Sequence, residues 1–181
     1  MFTEGVAVMT LNGLITIGDL PPKEWASQTD QKRFQKKIDE YHDGAIIVGS
    51  GTVGKDPQWY VDRALQGGPK RVVLTSRPEE YEVFQYPGKI EFLNLTPENV
   101  LKSLEAEGRK KALVLAGEKV MGAFLEADLI DRLSITLEPI AAGHGKSLAT
   151  GNFIRRFELV SHQVNIQSPS TLFLCYDRIR N

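Results

Sequence analysis

A chain of 181 residues, 41% of them apolar, has the size of one domain and enough apolar mass for a core without metals or disulfides. Its 22 basic and 23 acidic side chains leave no broad positive field, which argues against nucleic acid or an anionic membrane as partner. The single cysteine, Cys175, excludes an internal disulfide and a Cys-rich zinc site; no apolar stretch approaches the roughly 20 residues that span a bilayer, and the start MFTEGVAVMTL lacks a secretory pattern, so cytoplasmic residence is the default.

Gly5–Leu11 reads as the first strand. A helix follows in which Phe34, Ile38 and Tyr41 form one apolar stripe and Lys32, Arg33, Lys36 and Lys37 a solvated basic face. Ala45–Val48 is a buried strand that runs into a Gly-rich loop; Arg71–Thr75 and Ile90–Leu93 are further strands, with Gly67-Gly68-Pro69 and Tyr86-Pro87-Gly88 as turns. Thr96 before Pro97 is an N-cap with proline at the first helical position, Val100, Leu101 and Leu104 are the buried side, and Gly108 closes the helix. Ala112–Ala116 is a strand that leads, just after Gly117, into a helix marked by Val120, Met121, Phe124 and Leu125. Leu133–Ile140, Phe157–Val164 and Thr171–Arg178 are strand-like with no convincing helix between them. The alternation predicts a single α/β domain over residues 1–181, with a mostly parallel sheet, helices on both faces and antiparallel strands at the end.

In IIVGSGTVGKDP, Gly49, Gly54 and Lys55 fall on the spacing of a phosphate-binding P-loop. Such a loop needs Ser or Thr after its lysine to ligand magnesium and a helix starting at that point. Asp56 follows instead, a like charge for a phosphate, and Pro57 pushes Asp56 out of the α region. An ATP site is therefore rejected. Two readings stay open: a pyrophosphate cradle in which Gly49 and Gly51 allow close backbone approach and Thr52 caps a short helix, and a turn that uses glycine for backbone freedom.

ALVLAGEKVMG repeats the logic, with Gly117 at the strand end and Glu118 and Lys119 near a helix N-terminus. Both strand ends point to one carboxyl edge, where open parallel sheets bind dinucleotides. Thr75-Ser76-Arg77 at a third strand end suits a phosphate monoester such as that on the adenosine ribose of NADPH, although Arg77 equally fits the surface. Arg63 is a substitute phosphate ligand or a solvated helix residue; Asp56 is a hydrogen-bond partner or the start of a turn with Pro57. His42, His144 and His162 share no ligand spacing, so no metal is expected; Cys175 reads as packing, and no Gly-x-Ser-x-Gly elbow is present.

Taken together, VMTLNGLITIGD, EWASQ, DGAIIVGSGTV, PKRVVLTSR, LVLAGEKVMGAFLEADLIDRL and EPIAAGHGKSL, in this order and spacing across the chain, resemble the reductase domain of the bifunctional riboflavin-biosynthesis protein and its stand-alone relatives. The resemblance implies the three-layer dihydrofolate reductase-like fold, NADPH as cofactor and a homodimer. It implies that the loops Gly49–Val53 and Gly117–Val120 hold NADPH, with Thr52 a contact, Ser76 near the adenosine ribose and Trp25 flanking the cofactor. The implied reaction is hydride transfer to C1′ of 5-amino-6-(5-phosphoribosylamino)uracil, probed on the substrate side by Asn12, Asp56 and Arg63.

Besides Ala116-Gly117 in place of a double glycine, three positions depart from the family pattern. Asn12 stands for an aspartate and cannot serve as an acid; Glu40 stands for an arginine that receives the substrate phosphate; Leu115 stands for a glutamate that contacts the uracil. They leave a second expectation beside the first, the reduction of another small heterocycle or carbonyl on the same fold, and a third, a dinucleotide-binding protein without turnover. No catalytic residue is assigned from the sequence.

Overall fold

The computed structural model describes residues 1–54, 56–166 and 170–180; Lys55, the lysine of the P-loop spacing, lies outside the described residues. Eight strands form one sheet: β1 (Phe2–Met9), β2 (Ala45–Gly49), β3 (Lys70–Leu74), β4 (Ile90–Leu93), β5 (Lys111–Val114), β6 (Arg132–Leu137), β7 (Phe157–Asn165) and β8 (Thr171–Arg178). Their spatial order is β4-β3-β2-β5-β1-β6-β8-β7. The first six run parallel, and β8 and β7 close the sheet antiparallel. The α-helices are α1 (Gln28–Glu40), α2 (Ser50–Val53), α3 (Pro57–Leu65), α4 (Pro97–Ala106) and α5 (Glu118–Glu126). This is the expected α/β architecture, a mostly parallel sheet between two helical layers.

Each strand stands where its apolar run predicted. β1 ends at Met9, short of Leu11, because the chain turns at once: Thr10 N donates to Leu14 O and Gly13 N to Thr10 O. β6 ends at Leu137, one residue before Glu138-Pro139, since proline has no N–H for a ladder. In α4, Thr96 Oγ1 accepts from Asn99 N, Pro97 starts the helix, and Gly108 takes φ 80° just beyond its end, where any side chain would be strained.

On one face, Val100, Leu101 and Leu104 of α4 and Met121, Phe124 and Leu125 of α5 pack on Ile47, Val72, Val114, Leu133 and Ile135. On the other, Tyr60, Val61 and Ala64 of α3 pack on Ile46, Val48, Val73 and Leu113. Burying side chains of this size stabilises by about 1.5–3 kcal/mol each, so both layers are held chiefly by apolar area.

The layer under α1 differs, and it corrects the expected amphipathic pattern. Ser134 and Thr136 alternate on one side of β6, beside Glu4 of β1, and all three are buried. A polar strand face calls for cations above it. Arg33 and Lys37, assigned to a solvated face, point inward instead: Arg33 Nη1 donates to Thr136 Oγ1 at 2.8 Å, and Lys37 Nζ pairs with Glu4 at 3.2 Å and Glu40 at 3.0 Å. Tyr41 OH donates to Glu4 Oε2 at 2.7 Å, while Phe34, expected in the stripe, is 38% exposed. Burial, and after it the bond to Glu4, pushes the Tyr41 hydroxyl well above its usual value.

Candidate active site

β3, β2 and β5 are consecutive in the sheet, and the three expected cofactor loops leave from their carboxyl ends. Leu115 N donates to Ile47 O at 2.9 Å, which keeps β5 and β2 paired to the edge. Beyond it the two loops touch, for a Cβ placed on Gly49 would lie 3.1 Å from Cγ2 of Val120. Gly49, Gly51, Thr52 and Val53 are thereby brought beside Gly117, Glu118, Lys119 and Val120.

Gly117 is the N-cap of α5, with φ −69°, ψ 174° and no side-chain cap. The N–H groups of the first turn, Glu118 to Val120, have no intrahelical acceptor and carry the positive end of the helix dipole. Apart from the adjoining chain itself, nothing lies within 4 Å of where a Cβ would stand on Gly117 or Gly51. Open space, free donors and the exposed Lys119 together fit a pyrophosphate. Two details differ from expectation. Thr52 does not cap α2: Gly49 occupies that position, and Thr52 lies exposed inside the helix. Val53 turns its side chain into the α3 core, so it offers a ligand only its backbone.

Ser76 and Arg77 follow β3 on the same edge, both exposed, and Arg77 Nη1 meets Glu80 Oε1 at 2.7 Å in an i,i+3 surface pair. Trp25 ends a 3-10 turn, Pro22–Glu24, and its Nε1 is buried with no hydrogen-bond partner. A buried donor without an acceptor is costly, so Trp25 holds an unused donor. Asp56 is the N-cap residue of α3 at φ −120°, ψ 83°, exposed and making no side-chain cap bond; Arg63, in the last turn of the same helix, lies with its guanidinium 5.6 Å from the Trp59 ring centroid. Asn12 is engaged at both ends of its amide: Nδ2 donates to Ala142 O at 2.7 Å, and Oδ1 accepts from Thr10 Oγ1 at 2.9 Å and Ala142 N at 3.2 Å. It staples the turn after β1 to the segment after β6.

An acid that the sequence reading passed over lies at this edge. Ser27 is the N-cap of α1, its Oγ accepting from Asp30 N at 3.1 Å. In a capping box the Asp30 carboxyl would return to Ser27 N. That N–H is taken by Glu138 Oε1 at 2.9 Å, and Glu138 Oε2 accepts from Thr171 Oγ1 at 2.9 Å. The Asp30 carboxyl is left beside Thr136, Glu138 and Arg33. Asp30 is 7% exposed, and burial, its largest influence, raises its pKa; the Thr136 hydroxyl opposes that, Glu138 adds to it and Arg33 opposes it. The result is a carboxyl that keeps its proton more readily than an exposed one.

The contact of Ser27 with Glu138 sets the start of α1 over the carboxyl end of β6, and that of Tyr41 with Glu4 sets its end over the amino half of β1. Asp30 therefore shares the edge of the cofactor loops. Glu40 does not: at the last position of α1 it stands at the amino edge, paired with Lys37. Val6 and Leu115, half-buried on the same sheet face, separate the α1 and α3 sides with an apolar floor. Among the described residues no group of three or more His, Cys, Asp or Glu side chains is placed to hold a metal ion, and no helix is long and apolar enough to cross a membrane.

A family profile described as the RibD C-terminal domain matches residues 6–168. Among solved structures, the chain is similar to a diaminohydroxyphosphoribosylaminopyrimidine deaminase/5-amino-6-(5-phosphoribosylamino)uracil reductase from Thermotoga maritima, with a TM-score of 0.75 at 21% identity over 98% of this chain; it spans 56% of that protein's length. A pyrimidine reductase-like protein from Corynebacterium diphtheriae gives 0.73 at 16% identity, covering 99% of this chain and 92% of that one. A dihydrofolate reductase from Enterococcus faecalis, complexed with NADP(H) and RAB-propyl, gives 0.71 at 15% identity, covering 99% and 97%. At these identities the likeness is one of fold. No curated protein sequence matches the chain.

Proposed function

The chain belongs to the family of the RibD C-terminal domain, and from that membership we propose that it is an NADPH-dependent reductase of the riboflavin-biosynthesis type, a cytoplasmic enzyme that reduces 5-amino-6-(5-phosphoribosylamino)uracil to its ribityl counterpart. The observation that carries the reading is the meeting of the β2 and β5 loops, through Gly49 and Val120, at the edge where a buried acid also stands. Backbone N–H groups of Glu118, Lys119 and Val120 hold the pyrophosphate, with Gly51 and Gly117 leaving room for it and Thr52 beside it. Ser76 and Arg77 receive the adenosine ribose phosphate, Arg77 by exchanging its surface partner Glu80 for it. Trp25 offers its unused Nε1 donor to the cofactor.

Bound NADPH supplies a hydride. Reduction of a C=N or C=O bond also needs a proton, and Asp30, the carboxyl that burial biases toward its protonated form, is the group at this edge suited to pass one. Asp56 and Arg63 flank the substrate from the α3 side. Asn12 acts indirectly by fixing the turn after β1.

A second reading, the reduction of another small heterocycle, draws support from the α1 side of the site. Arg33 is engaged there with Thr136, and Leu115 contributes only apolar surface, so that side suits a flat uncharged ring better than a phosphate ester. Two copies associating through β7 would complete the reading: this strand forms the outer edge of the sheet, and Leu159, Val160 and Val164 are each about half exposed. Sedimentation at micromolar concentration tests it, a monomer at all concentrations ending the idea.

The decisive experiment follows NADPH oxidation with the uracil phosphate and with a panel of uncharged heterocycles. Turnover with the first supports the pathway enzyme, and turnover only with the panel supports the second reading. NADPH that binds tightly without turnover leaves a dinucleotide-binding protein. The absence of calorimetric heat and of any quenching of Trp25 or Trp59 would remove all three.

A further inference from the structure

We propose that Arg155, Arg156, Arg178 and Arg180 form a binding site for a small phosphate ester at the amino edge of the sheet, away from the cofactor loops.

The four arginines come from two segments that the sheet brings together. Ile179 N donates to Arg156 O at 3.0 Å, which carries the pairing of β7 and β8 past Phe157 and Arg178. Arg178 N donates in turn to Asp131 O at 2.8 Å, just before β6. The guanidinium groups line a cleft of about 440 Å³, within the size range of small-molecule sites. The chain as a whole is nearly neutral, with 22 basic and 23 acidic side chains, so this patch is a local concentration of charge.

Two aspartates hold the arginines without neutralising them. Asp128 Oδ1 lies 3.1 Å from Arg155 Nε and 3.0 Å from Arg178 Nη1, and Asp131 Oδ1 lies 3.4 Å from Arg178 Nη2 and 2.5 Å from Arg180 Nη2. Four guanidinium groups thus face two carboxylates, and Arg156 has no ion-pair partner among the described residues. Asp128 closes α5: Asp128 N donates to Leu125 O and Leu129 N to Phe124 O, the pattern whose central position favours glycine. It holds φ 59° there, where a side chain is strained. A carboxylate at that position does what glycine could not, anchoring Arg155 and Arg178 together.

Donors remain over. Arg178 gives Nη1 to Asp128 O and Nη2 to Asp131, and its buried Nε has no hydrogen-bond partner among the described residues. Arg155 gives Nη1 to Ile154 O at 2.9 Å and Nη2 to Glu126 O at 2.6 Å; its Nε, near Asp128 but out of line for a hydrogen bond, is likewise buried and unpartnered. Unpaired buried donors and crowded like charges are both unfavourable, and an anion relieves both. Phosphate suits the site better than a carboxylate, since three of its oxygens accept and its charge approaches −2 at neutral pH, matching the excess of two guanidinium groups. Ile154, 84% exposed, and Ile179, 43% exposed, border the same cleft and offer apolar surface to the esterified group.

Glu118 begins α5 at the carboxyl edge and Asp128 follows its other end, so nine residues of helix, roughly 14 Å, part this site from the cofactor loops. The arginine site does not depend on the reductase reading.

The test follows backbone amide shifts of the nitrogen-15-labelled full chain as phenyl phosphate is added at low salt. Saturable shifts are expected at Asp128, from Ile154 to Arg156 and from Arg178 to Arg180. The double variant Arg156→Gln/Arg180→Gln changes two exposed side chains and should weaken binding about tenfold or more. Ile154→Ala should weaken phenyl phosphate while leaving inorganic phosphate unchanged. No saturable shift at the arginines overturns the proposal, as do shifts confined to Gly51–Val53 and Gly117–Val120, which would put the anion in the cofactor loops. Benzoate binding as tightly as phenyl phosphate would overturn the phosphate class. None of these readings needs NADPH or an acceptor, so the arginine site and the reductase reading fail separately.

Discussion

Val120 of α5 stands against Gly49 of β2 so closely that a Cβ on the glycine would lie 3.1 Å from its Cγ2. The two loops thus define each other's position before any ligand arrives. Gly49→Ala is expected to push the α5 N-terminus outward and weaken NADPH binding about tenfold, or ~1.4 kcal/mol. Val120→Ala in the same chain should return most of the loss. Calorimetric titration of the two single variants and the double variant reads the coupling directly, and simple additivity would contradict it.

Glu138 is 1% exposed and receives two bonds, from Ser27 N and Thr171 Oγ1, that tie the start of α1 to the sheet. Glu138→Ala leaves Ser27 N without its acceptor, at about 1–3 kcal/mol, and takes one bond from Thr171. The expected outcome is a large fall in melting temperature, roughly 5 °C or more for a domain of this size. Glu138→Gln keeps one acceptor oxygen and should fall less; equal losses in scanning calorimetry would mean that the bonds contribute little.

Asp30 has a pKa raised by burial, so protons bind the folded state more tightly than the unfolded one. Its contribution to stability is complete below the ordinary carboxyl range and is lost as pH rises through the higher folded value. Asp30→Asn should therefore be more stable than the parent at neutral pH, by about 2–4 °C, with the difference vanishing in acid. Melting curves at pH 4 and pH 7 measure this, and a variant less stable at pH 7 would reverse the sign assigned here. At the same time the variant should lose most of its turnover.

Gly122 of α5 has no room for a side chain: a Cβ there would stand 1.9 Å from the carbonyl oxygen of Thr150. The loop cannot withdraw freely, since Thr150 N donates to Glu118 O at 3.1 Å. Gly122→Ala is expected to cost roughly 3 kcal/mol or more despite the better helix propensity of alanine. A melting temperature within a degree of the parent would show that the loop yields.

Arg132 and Asp177 make the opposite case. Their two parallel bonds, Nε to Oδ1 at 2.6 Å and Nη2 to Oδ2 at 2.9 Å, join β6 to β8 and hold the Asp177 carboxyl below its usual range. Both side chains are 36% exposed, so solvent screens the pair. Arg132→Ala should cost less than about 1 kcal/mol. A denaturant midpoint showing more than twice that would give this surface bridge a structural weight it is not expected to have.

The strands and the α4 boundaries were legible because local signals determine them: Thr96 and Pro97 start a helix whatever surrounds it, and Gly108 ends it. The two glycine loops were legible too, since an apolar strand that stops at a glycine and enters a helix can place that glycine in few ways. Asp30 was not. Its meaning comes from Thr136 and Glu138, more than a hundred residues away, and only the Ser27-x-x-Asp30 spacing hinted at a cap. Arg33 and Lys37 were misread for a related reason: a helix shows which faces are polar, but whether a polar face meets water or a polar strand depends on Glu4 and Ser134. The position of Glu40 was readable, for a residue just before a parallel strand stands at the amino edge, away from loops at the carboxyl edge.

The sheet order also dictates when its parts can come together during synthesis. β1 is made before the other strands of this sheet, yet its neighbours among the described strands are β5 and β6, and β2 lies one place removed from it. β2, β3 and β4 can pair with one another as they emerge, whereas β1 must wait, apolar and unpaired, until residues from Lys111 onward have left the ribosome. While the residues between Met9 and Lys111 are being made the nascent chain carries an open strand, which is when a chaperone has most to shield and when a stalled ribosome would do most harm.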